Sequence, residues 1–233
     1  MKCNLCGCSE FVDMKSRKGV RCRNCSSLER TRLLWMYLQE MDVFRRGRVL
    51  HLAPEMGIYR AIKARKVSGE YVCADLSPER YSFAEGMVRI DLCNLDQQPP
   101  MQYDLILHSH VMEHIPCNIA YTLFHLHRMM TLDGVHLCVI PFMPGRYDEC
   151  FGDIGDAERT RRFGQWDHVR RFGSEDVGAH LGKVMRMPDH FDATEQFSPE
   201  ELCEANVPAH LWRGFHAATV LKFARDDMLM LRG

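Results

Sequence analysis

Residues 49–57 read VLHLAPEMG, and this stretch indicates the fold more directly than any other. Its first half, Val49–Ala53, is apolar enough to form a strand that is buried on both faces. Pro54 then interrupts the strand, and apolar residues recur with helical spacing over Ile58–Lys66. A buried strand that turns directly into a helix is the first part of a β-α-β unit. The stretch therefore predicts an α/β domain with a parallel sheet.

The same alternation of strands and helices continues to the end of the chain. A second helix is predicted over Ile119–Met130, where apolar residues share one face. The predicted strands are Val49–Ala53, Glu70–Asp75, Val88–Asp91, Tyr103–His108, Val135–Ile140, Val184–Met187 and Thr219–Phe223. This order predicts a doubly wound, mostly parallel, seven-stranded Rossmann-like sheet in a domain over residues 47–233.

Polar residues fall where the predicted strands end. Asp75 ends the second strand, Asp91 ends the third, and His108-Ser109-His110 ends the fourth. In doubly wound sheets the ligand binds at the carboxyl ends of the strands. An acidic residue at the position of Asp75, about 20 residues after the first turn, can accept both hydroxyls of a ribose.

The first 25 residues contain five of the eleven cysteines. Cys3, Cys6, Cys22 and Cys25 have the spacing C-x2-C-x15-C-x2-C, which is typical of a zinc ribbon. Four thiolates close a tetrahedral site, so the predicted Zn²⁺ is structural rather than catalytic. Iron is the less favoured metal, and a redox dithiol pair is the alternative without metal. Cys8 could compete with Cys6, and the spacing leaves that choice open.

A helix is predicted to follow the ribbon without a flexible linker. Ser26 and Glu29 have the spacing of a capping box, and Lys18-Gly19 is the predicted turn of the ribbon hairpin. The helix has one apolar face, built from Leu33, Leu34, Tyr37, Leu38 and Met41. We therefore predict a ribbon over residues 1–27 and a connecting helical segment over 28–46 that docks on the following domain.

Composition excludes several classes of protein. Of the 233 residues, 46% are hydrophobic and 26% are charged, as in ordinary globular proteins. Thirty Lys and Arg against 31 Asp and Glu give a net charge of -1, which lacks the basic field of nonspecific nucleic-acid binders. No apolar run reaches the roughly 18 residues of a membrane helix, and the N-terminus has no hydrophobic signal core. We expect a cytoplasmic protein without membrane insertion.

Several of these segments, taken together, resemble the class I S-adenosylmethionine-dependent methyltransferases. They are the turn at 49–57, the Asp75 and Asp91 segments, and Tyr103–Ile106 running into VMEHI at 111–115. The similarity covers roughly residues 48–225. More narrowly, the cysteine-rich start, LERTRLL at 28–34, LAPE at 52–55 and FGQWDHVR at 163–170 are similar to a bacterial subgroup with an N-terminal zinc ribbon.

The resemblance implies methyl transfer with S-adenosylmethionine as cofactor. It implies that Asp75 holds the ribose and that Leu76 packs near the adenine. Asp91, with the backbone of Leu92, would bind the adenine amino group. The backbone at His108 and Ser109 would line the methionine end of the cofactor.

The first turn departs from the usual family pattern of an acidic residue followed by three spaced glycines. His51 replaces the acidic residue, and Ala53 and Glu55 replace two of the glycines. Ala53 and Gly57 still permit close approach of the backbone to a ligand. Glu55 could accept the ammonium of the methionine moiety.

Three histidines are candidates for a catalytic role. His110 and His114 follow the fourth predicted strand, and His168 lies in a predicted lid insertion at about 145–173. Histidine is the natural general base near neutral pH if the acceptor is a hydroxyl. His114 is as well suited to ordering the site as to accepting a proton.

The lid insertion indicates the acceptor class. Residues 158–171 contain five arginines and two aromatic residues. Arginines suit carboxylate or phosphate groups and aromatic faces suit sugars, although a solvated helix face would have the same composition. We expect a small-molecule or glycan acceptor, acidic or phosphate-bearing, that is methylated on oxygen.

Two alternatives remain open. One is an RNA methyltransferase whose basic hairpin grips the nucleic acid; its cations are Lys15, Arg17, Lys18, Arg21 and Arg23. The near-neutral charge argues against that reading. The other is a noncatalytic binding module with a degenerate cofactor site.

Overall fold

The computed structural model describes residues 1–42, 47–65 and 69–231. In chain order its strands are β1 (Phe11–Met14), β2 (Arg17–Cys22), β3 (Val49–Leu52), β4 (Tyr71–Asp75), β5 (Val88–Arg89), β6 (Tyr103–Ser109), β7 (Met130–Val139), β8 (Phe142–Met143), β9 (Asp148–Glu149), β10 (Arg170–Gly173) and β11 (Val220–Ala224). Its α-helices are α1 (Glu29–Gln39), α2 (Met56–Ala64), α3 (Ile119–Met129), α4 (Asp156–Phe163) and α5 (Pro199–Glu204).

The central sheet has the order β11-β7-β6-β3-β4-β5. Its neighbours pair in parallel, except that β11 pairs antiparallel with β7. The chain runs outward from β3 through β4 to β5 and then returns to the other side of β3 as β6. The sheet therefore has its topological switch point between β3 and β6, which confirms the predicted mostly parallel Rossmann-like architecture.

Both faces of the sheet are covered. Successive residues of β6 point to opposite faces, so Ile106 packs with α3 while Leu105 and Leu107 pack with α1 and α2. All three side chains are fully buried. A strand buried on both faces has to be apolar throughout, which is why these runs of the sequence lack the alternation of a half-exposed strand.

One of the seven predicted strands, the sixth in chain order, is wrong. Val184–Met187 forms no strand in the part of the chain that the structure describes, and the central sheet has six strands. The segment follows a 3-10 turn over Leu181–Lys183, and Met185 makes only an isolated bridge to Met228. Met185 is buried in the core, so its apolarity reflects packing rather than a strand.

Helix α1 begins later than the capping box predicts. The N-cap is Leu28, whose backbone N–H donates to Thr31 Oγ1 at 3.3 Å. Ser26 lies in the left-handed region with φ 61°, and the Glu29 carboxylate accepts instead from Arg17. The predicted apolar face is buried against the sheet as expected. Residues 43–46 of the predicted connecting segment, and Lys66 of the predicted helix over Ile58–Lys66, lie outside the described residues.

The N-terminal hairpin turns at a different place from the one predicted. Met14 pairs with Arg17, so the turn consists of Lys15 and Ser16, and Lys18-Gly19 lies within β2. Lys15 takes the positive φ of 54° that a two-residue hairpin requires. The sequence signal failed because Gly19 serves the strand, where its N–H donates to Asp13.

One buried arginine fastens this hairpin to the rest of the molecule. Arg32 of α1 is fully buried, and its guanidinium donates to four backbone carbonyls. Two of them belong to the N-terminal segment, Val20 and Ser27, and two follow α5, Ala205 and Asn206. The hairpin is thus docked on the sheet domain, and the domain limits at 27 and 46 remain predictions.

The predicted insertion forms a small subdomain. Strands β8, β10 and β9 make a three-stranded sheet with α4 beside it. Arg170 is fully buried and donates to the carbonyls of Met112 and Cys117, while the Val169 N–H donates to the carbonyl of Glu113. These bonds hold the insertion against the loop that follows β6.

No α-helix in the described ranges is long and apolar enough to cross a membrane.

Candidate functional site

A cavity of about 340 Å³ opens at the carboxyl ends of β3, β4 and β5 and continues to the loop after β6. This volume lies within the range of small-molecule sites, and its position is the one expected for a ligand in a doubly wound sheet. Predicted site residues that line the cavity are Ala53, Asp75, Leu76, Asp91, Leu92, His110 and His114. The predicted residues Glu55, Gly57, His108, Ser109 and His168 do not line it.

The first turn brings the backbone to the cavity. Ala53 has φ 47°, a left-handed conformation that favours small residues, and its N–H donates to the carbonyl of Ala74 at 2.8 Å. The peptide after β3 therefore turns sharply away from the sheet and leaves the space above β3 and β4 open. This geometry provides the close approach for which the family uses glycine.

Glu55 and Gly57 differ from the expectation. The Glu55 carboxylate pairs with Arg30 at 3.0 Å, so it is directed to α1 and not to the cavity. A Cβ built on Gly57 would lie 3.5 Å from the Cys25 sulfur and 3.6 Å from Leu5. Gly57 therefore packs at ordinary contact distance against the cysteine cluster and does not line the cavity.

Asp75 stands at the end of β4 with a fixed carboxylate. Oδ1 accepts from the Ser77 N–H at 2.8 Å, and Oδ2 accepts from the Tyr81 hydroxyl at 2.8 Å. Burial, together with the neighbouring carboxylate, raises the pKa of Tyr81, so the phenol keeps its proton and remains a donor. The second lone pairs of both carboxylate oxygens remain to accept from a ligand.

Asp91 occupies the corresponding position after β5. Its Oδ1 accepts from the Cys93 N–H at 2.8 Å, and Oδ2 accepts from the Asn94 side chain. Leu92 is buried beside it, whereas Leu76 is 55% exposed at the cavity rim. A large apolar side chain with that exposure is available to cover a flat ligand face.

His108 and Ser109 belong to the sheet core. His108 is fully buried, and neither ring nitrogen has a hydrogen-bond partner among the described residues. Burial lowers its pKa to about 3, so the ring is neutral. Its neighbour across the sheet is His136, with ring centroids 4.9 Å apart. The side chain is therefore not available to the cavity. The predicted contact of the backbone at His108 and Ser109 with the methionine end stays a prediction, and neither residue lines the cavity.

Two histidines line the far end of the cavity. His110 has both ring nitrogens facing acceptors: Nε2 lies 2.8 Å from the Ala217 carbonyl and Nδ1 lies 3.3 Å from Glu113 Oε1. His114 has Nδ1 at 3.3 Å from the backbone carbonyl of Asp167 and at 3.4 Å from its carboxylate. Nδ1 of His114 therefore faces oxygen acceptors only, which favours the neutral tautomer with its proton on Nδ1.

His168 lies behind His114. Their rings meet edge to face with centroids 4.7 Å apart, and His168 Nδ1 lies 2.9 Å from the Phe163 carbonyl. Burial lowers the pKa of His168, which keeps the ring neutral at pH 7. Glu113, His114 and His168 each offer a ligand atom, and these atoms lie within 4.8 Å of one another.

The arginines of the insertion are bound to the protein. Arg161 pairs with Glu158 and Arg162 with Asp148, while Arg171 donates to the Arg146 carbonyl. The other two, Arg159 and Arg170, each donate to two or more backbone carbonyls. The expectation that they bind an acidic acceptor is therefore not supported by their contacts.

The four predicted metal ligands converge. The sulfurs of Cys3 and Cys25 lie 3.5 Å apart, those of Cys6 and Cys22 lie 3.6 Å apart, and all four lie within 4.8 Å of one another. Tetrahedral Zn–S bonds of about 2.3 Å require sulfur separations near 3.8 Å, so the four thiols fit a zinc ion. Cys8 is outside this cluster, and its sulfur accepts from the Glu10 N–H.

Sequence reasoning missed three groups at the cavity and its edge. The Tyr81 hydroxyl donates to Asp75 from the turn that follows β4, and no periodic pattern in the sequence predicts this contact. Asp167 reaches His114 only through the folding of the insertion. Glu113 had a signal, because it directly precedes His114 and stands three residues after His110, the spacing of one helical turn.

Comparison with known proteins identifies the fold. No protein-family model matches the chain, and no curated protein matches it. An S-adenosylmethionine-dependent methyltransferase from Mesorhizobium loti aligns over 82% of this chain and 95% of its own, with 14% identity and a TM-score of 0.51. Coclaurine N-methyltransferase, solved with N-methylheliamine and SAH, aligns over 83% of this chain and 60% of its own, with 14% identity and a TM-score of 0.51. The chain has the fold of these methyltransferases.

Proposed function

We propose that the protein is an S-adenosylmethionine-dependent methyltransferase that acts on a small molecule or glycan, with a structural zinc ion held by Cys3, Cys6, Cys22 and Cys25. One observation carries the proposal: two fixed carboxylates, Asp75 and Asp91, and the sharp turn at Ala53 converge on one cavity at the strand ends. The fold shared with known methyltransferases supports it.

The cavity suits the cofactor at its nucleoside end. Asp75 has free acceptor capacity for two ribose hydroxyls, and Asp91 accepts from an amino group. Leu76 and Leu92 supply apolar surface for an adenine ring. Glu55 is bound to Arg30 and is therefore not available to bind the methionine ammonium. We infer that the methionine end of the cofactor binds the other cavity walls and the backbone at Ala53.

S-adenosylmethionine supplies a methyl group already activated by its sulfonium, and transfer to an acceptor is an in-line displacement. The chain holds the two reactants in line, excludes water and removes a proton if the acceptor is a hydroxyl. The new C–O bond forms as the C–S bond breaks, with the electron pair remaining on sulfur. The hydroxyl proton passes to the His114–Asp167 pair.

His114 suits this task better than the other two histidines. It lines the cavity, and Asp167 orients its ring so that Nε2 is left to accept. His110 has acceptors at both nitrogens, and His168 lies outside the lining. We therefore propose oxygen as the methylated atom and the His114 end of the cavity as the acceptor site.

The charges of the hairpin do not favour RNA as the acceptor. Arg17 pairs with Glu29, Lys18 with Asp13 and Arg23 with Glu10, while Arg21 donates to the Ser26 hydroxyl. Neighbouring carboxylates thus neutralise three of the five cations that would contact phosphates, and electrostatic attraction is the main source of such binding.

Labelled methyl transfer tests the proposal. The protein is incubated with methyl-labelled S-adenosylmethionine and with small-molecule, glycan and RNA fractions of a bacterial extract. We expect label in the small-molecule or glycan fraction, lost in Asp75→Asn and retained in the exposed control Asp133→Asn. Label in the RNA fraction alone would support the RNA alternative, and no transfer to any fraction would support the binding module.

A further inference from the structure

A buried carboxylate with no hydrogen bond stands beside the acceptor end of the cavity. Glu113 is 1% exposed, and neither of its oxygens accepts a hydrogen bond from the described residues. His110 Nδ1 lies 3.3 Å from Oε1 without hydrogen-bond geometry, and Oε2 has no such neighbour. A buried carboxylate oxygen with neither a donor nor a cation beside it is costly, so Oε2 of Glu113 needs an explanation.

A carboxylate has no proton to donate, so each of its oxygens offers lone pairs only. What is missing near Oε2 is a cation or a donor.

His114 and His168, which also lie near Glu113, each have a ring nitrogen that is not bound to any residue that the structure describes. His114 Nδ1 is held by Asp167, and His168 Nδ1 is held by the Phe163 carbonyl. In each ring Nδ1 is therefore the protonated nitrogen, and Nε2 keeps a free lone pair. Metal-binding histidines show this arrangement, in which a carboxylate or carbonyl fixes the remote N–H and orients the ring.

We propose that Glu113, His114 and His168 bind a divalent transition-metal ion at the acceptor end of the cavity. The three ligand atoms already lie within 4.8 Å of one another. Two imidazoles and one carboxylate suit Zn²⁺, Fe²⁺, Co²⁺ or Mn²⁺, and three protein ligands leave coordination positions open. His114 lines the cavity, so an open position can reach the acceptor.

The proposed ion gives the buried carboxylate its counter-charge and supplies a chemical role. This chemical role rests on the proposed function. An acceptor hydroxyl bound to the ion loses its proton more readily, because the cation stabilises the oxyanion. With the ion bound, Nε2 of His114 is a ligand and no longer accepts the proton, so the Asp167 carboxylate, which also lines the cavity, accepts it instead. Methyl transfer itself is unchanged, with the C–O bond formed and the C–S bond broken.

His108, His136 and Cys138 form a second group of possible metal ligands, and we propose no metal site there. All three are fully buried within the sheet and none lines the cavity, so an ion there would have no access to a ligand.

Cobalt binding tests the site separately from activity. Protein with one zinc per chain, measured by elemental analysis, is titrated with Co²⁺ and followed by calorimetry and visible absorption. We expect one further Co²⁺ per chain, with weak bands typical of nitrogen and oxygen ligands and no thiolate charge-transfer band. Glu113→Gln and His114→Ala should each weaken binding by about tenfold or more. His190→Ala, which alters an exposed pair with Glu195, should leave it unchanged.

Two results would overturn the site: no Co²⁺ beyond the zinc equivalent in the unaltered protein, or a Co²⁺ affinity in both variants equal to that of the unaltered protein. His114 is one-third exposed, so its variant keeps the test valid even where the Glu113 variant is unstable. SAH binding, measured in the same samples, separates the two claims. Bound SAH without Co²⁺ refutes the metal site alone, whereas bound Co²⁺ without SAH refutes the methyltransferase proposal.

Discussion

The carboxylates at the strand ends are the residues that sequence reasoning located best. Asp75 and Asp91 could be placed because parallel strands end at one edge of the sheet, so position along the chain determines position in space. Side chains at the first turn could not be placed in the same way. Glu55 turns to Arg30, a partner 25 positions earlier, and no local pattern encodes that contact.

Replacing Glu55 provides a residue-scale test of this geometry. Because its carboxylate is paired with Arg30 and does not line the cavity, we expect Glu55→Gln to leave SAH affinity within about twofold, and calorimetry measures this. A loss of tenfold or more would show that Glu55 does contact the methionine end.

His108 makes a second residue-scale prediction. Its buried ring nitrogens have no hydrogen-bond partner in the described residues, so an apolar side chain of similar size removes an unsatisfied group. We expect His108→Leu to keep or raise the free energy of unfolding at pH 7, measured in urea. A loss above about 2 kcal/mol would mean that the ring has a polar partner that the structure does not reveal.

At the scale of elements, the sequence predicted what is periodic and missed what depends on packing. Composition predicts buried strands such as β6, and the spacing of apolar residues predicts the buried face of α1. The hairpin turn follows from the pairing of Met14 with Arg17, which no turn residue in the sequence indicates. The absence of a strand at Val184–Met187 follows from a contact remote in sequence, between Met185 and Met228. Apolar residues that pack irregularly look the same in a sequence as apolar residues in a strand.

The docking of the N-terminal hairpin depends on one side chain. Arg32→Met would leave the carbonyls of Val20, Ser27, Ala205 and Asn206 without their buried donor. We expect the free energy of unfolding to fall by about 3 kcal/mol or more, measured in urea with zinc present. Arg60→Met, an exposed change on α2, should alter it by less than about 0.5 kcal/mol. Equal stability of the two variants would contradict this role of Arg32.

At the scale of the whole molecule, buried neutral histidines make the fold acid-sensitive. Burial lowers the pKa of His51 and His108 to about 3 and of His127 to about 4. An unfolded histidine titrates near 6.5, so below that pH the unfolded chain binds protons that the folded chain cannot. The free energy of unfolding is therefore highest above the unfolded pKa of about 6.5 and falls as the pH drops toward the folded-state values of about 4 for His127 and about 3 for His51 and His108.

Urea unfolding between pH 7 and pH 5 measures this effect. Each of the three histidines contributes a loss of about 2 kcal/mol over that range, so the stability should fall by at least about 6 kcal/mol. Burial also lowers the pKa of His136 and His216, which adds to the fall. His108→Leu should reduce the fall by about 2 kcal/mol. A pH-independent free energy of unfolding would show that these rings are protonated, or exposed, in the folded state.

The central claim is that the cavity at the strand ends binds the methyl donor, and native mass spectrometry of the whole protein with saturating SAH tests it most directly. We predict one zinc ion and one SAH per chain, with SAH lost in Asp75→Asn and kept in Asp133→Asn. Retained zinc with no SAH adduct in the unaltered protein would contradict the claim, because the fold would then be intact and its cofactor site absent.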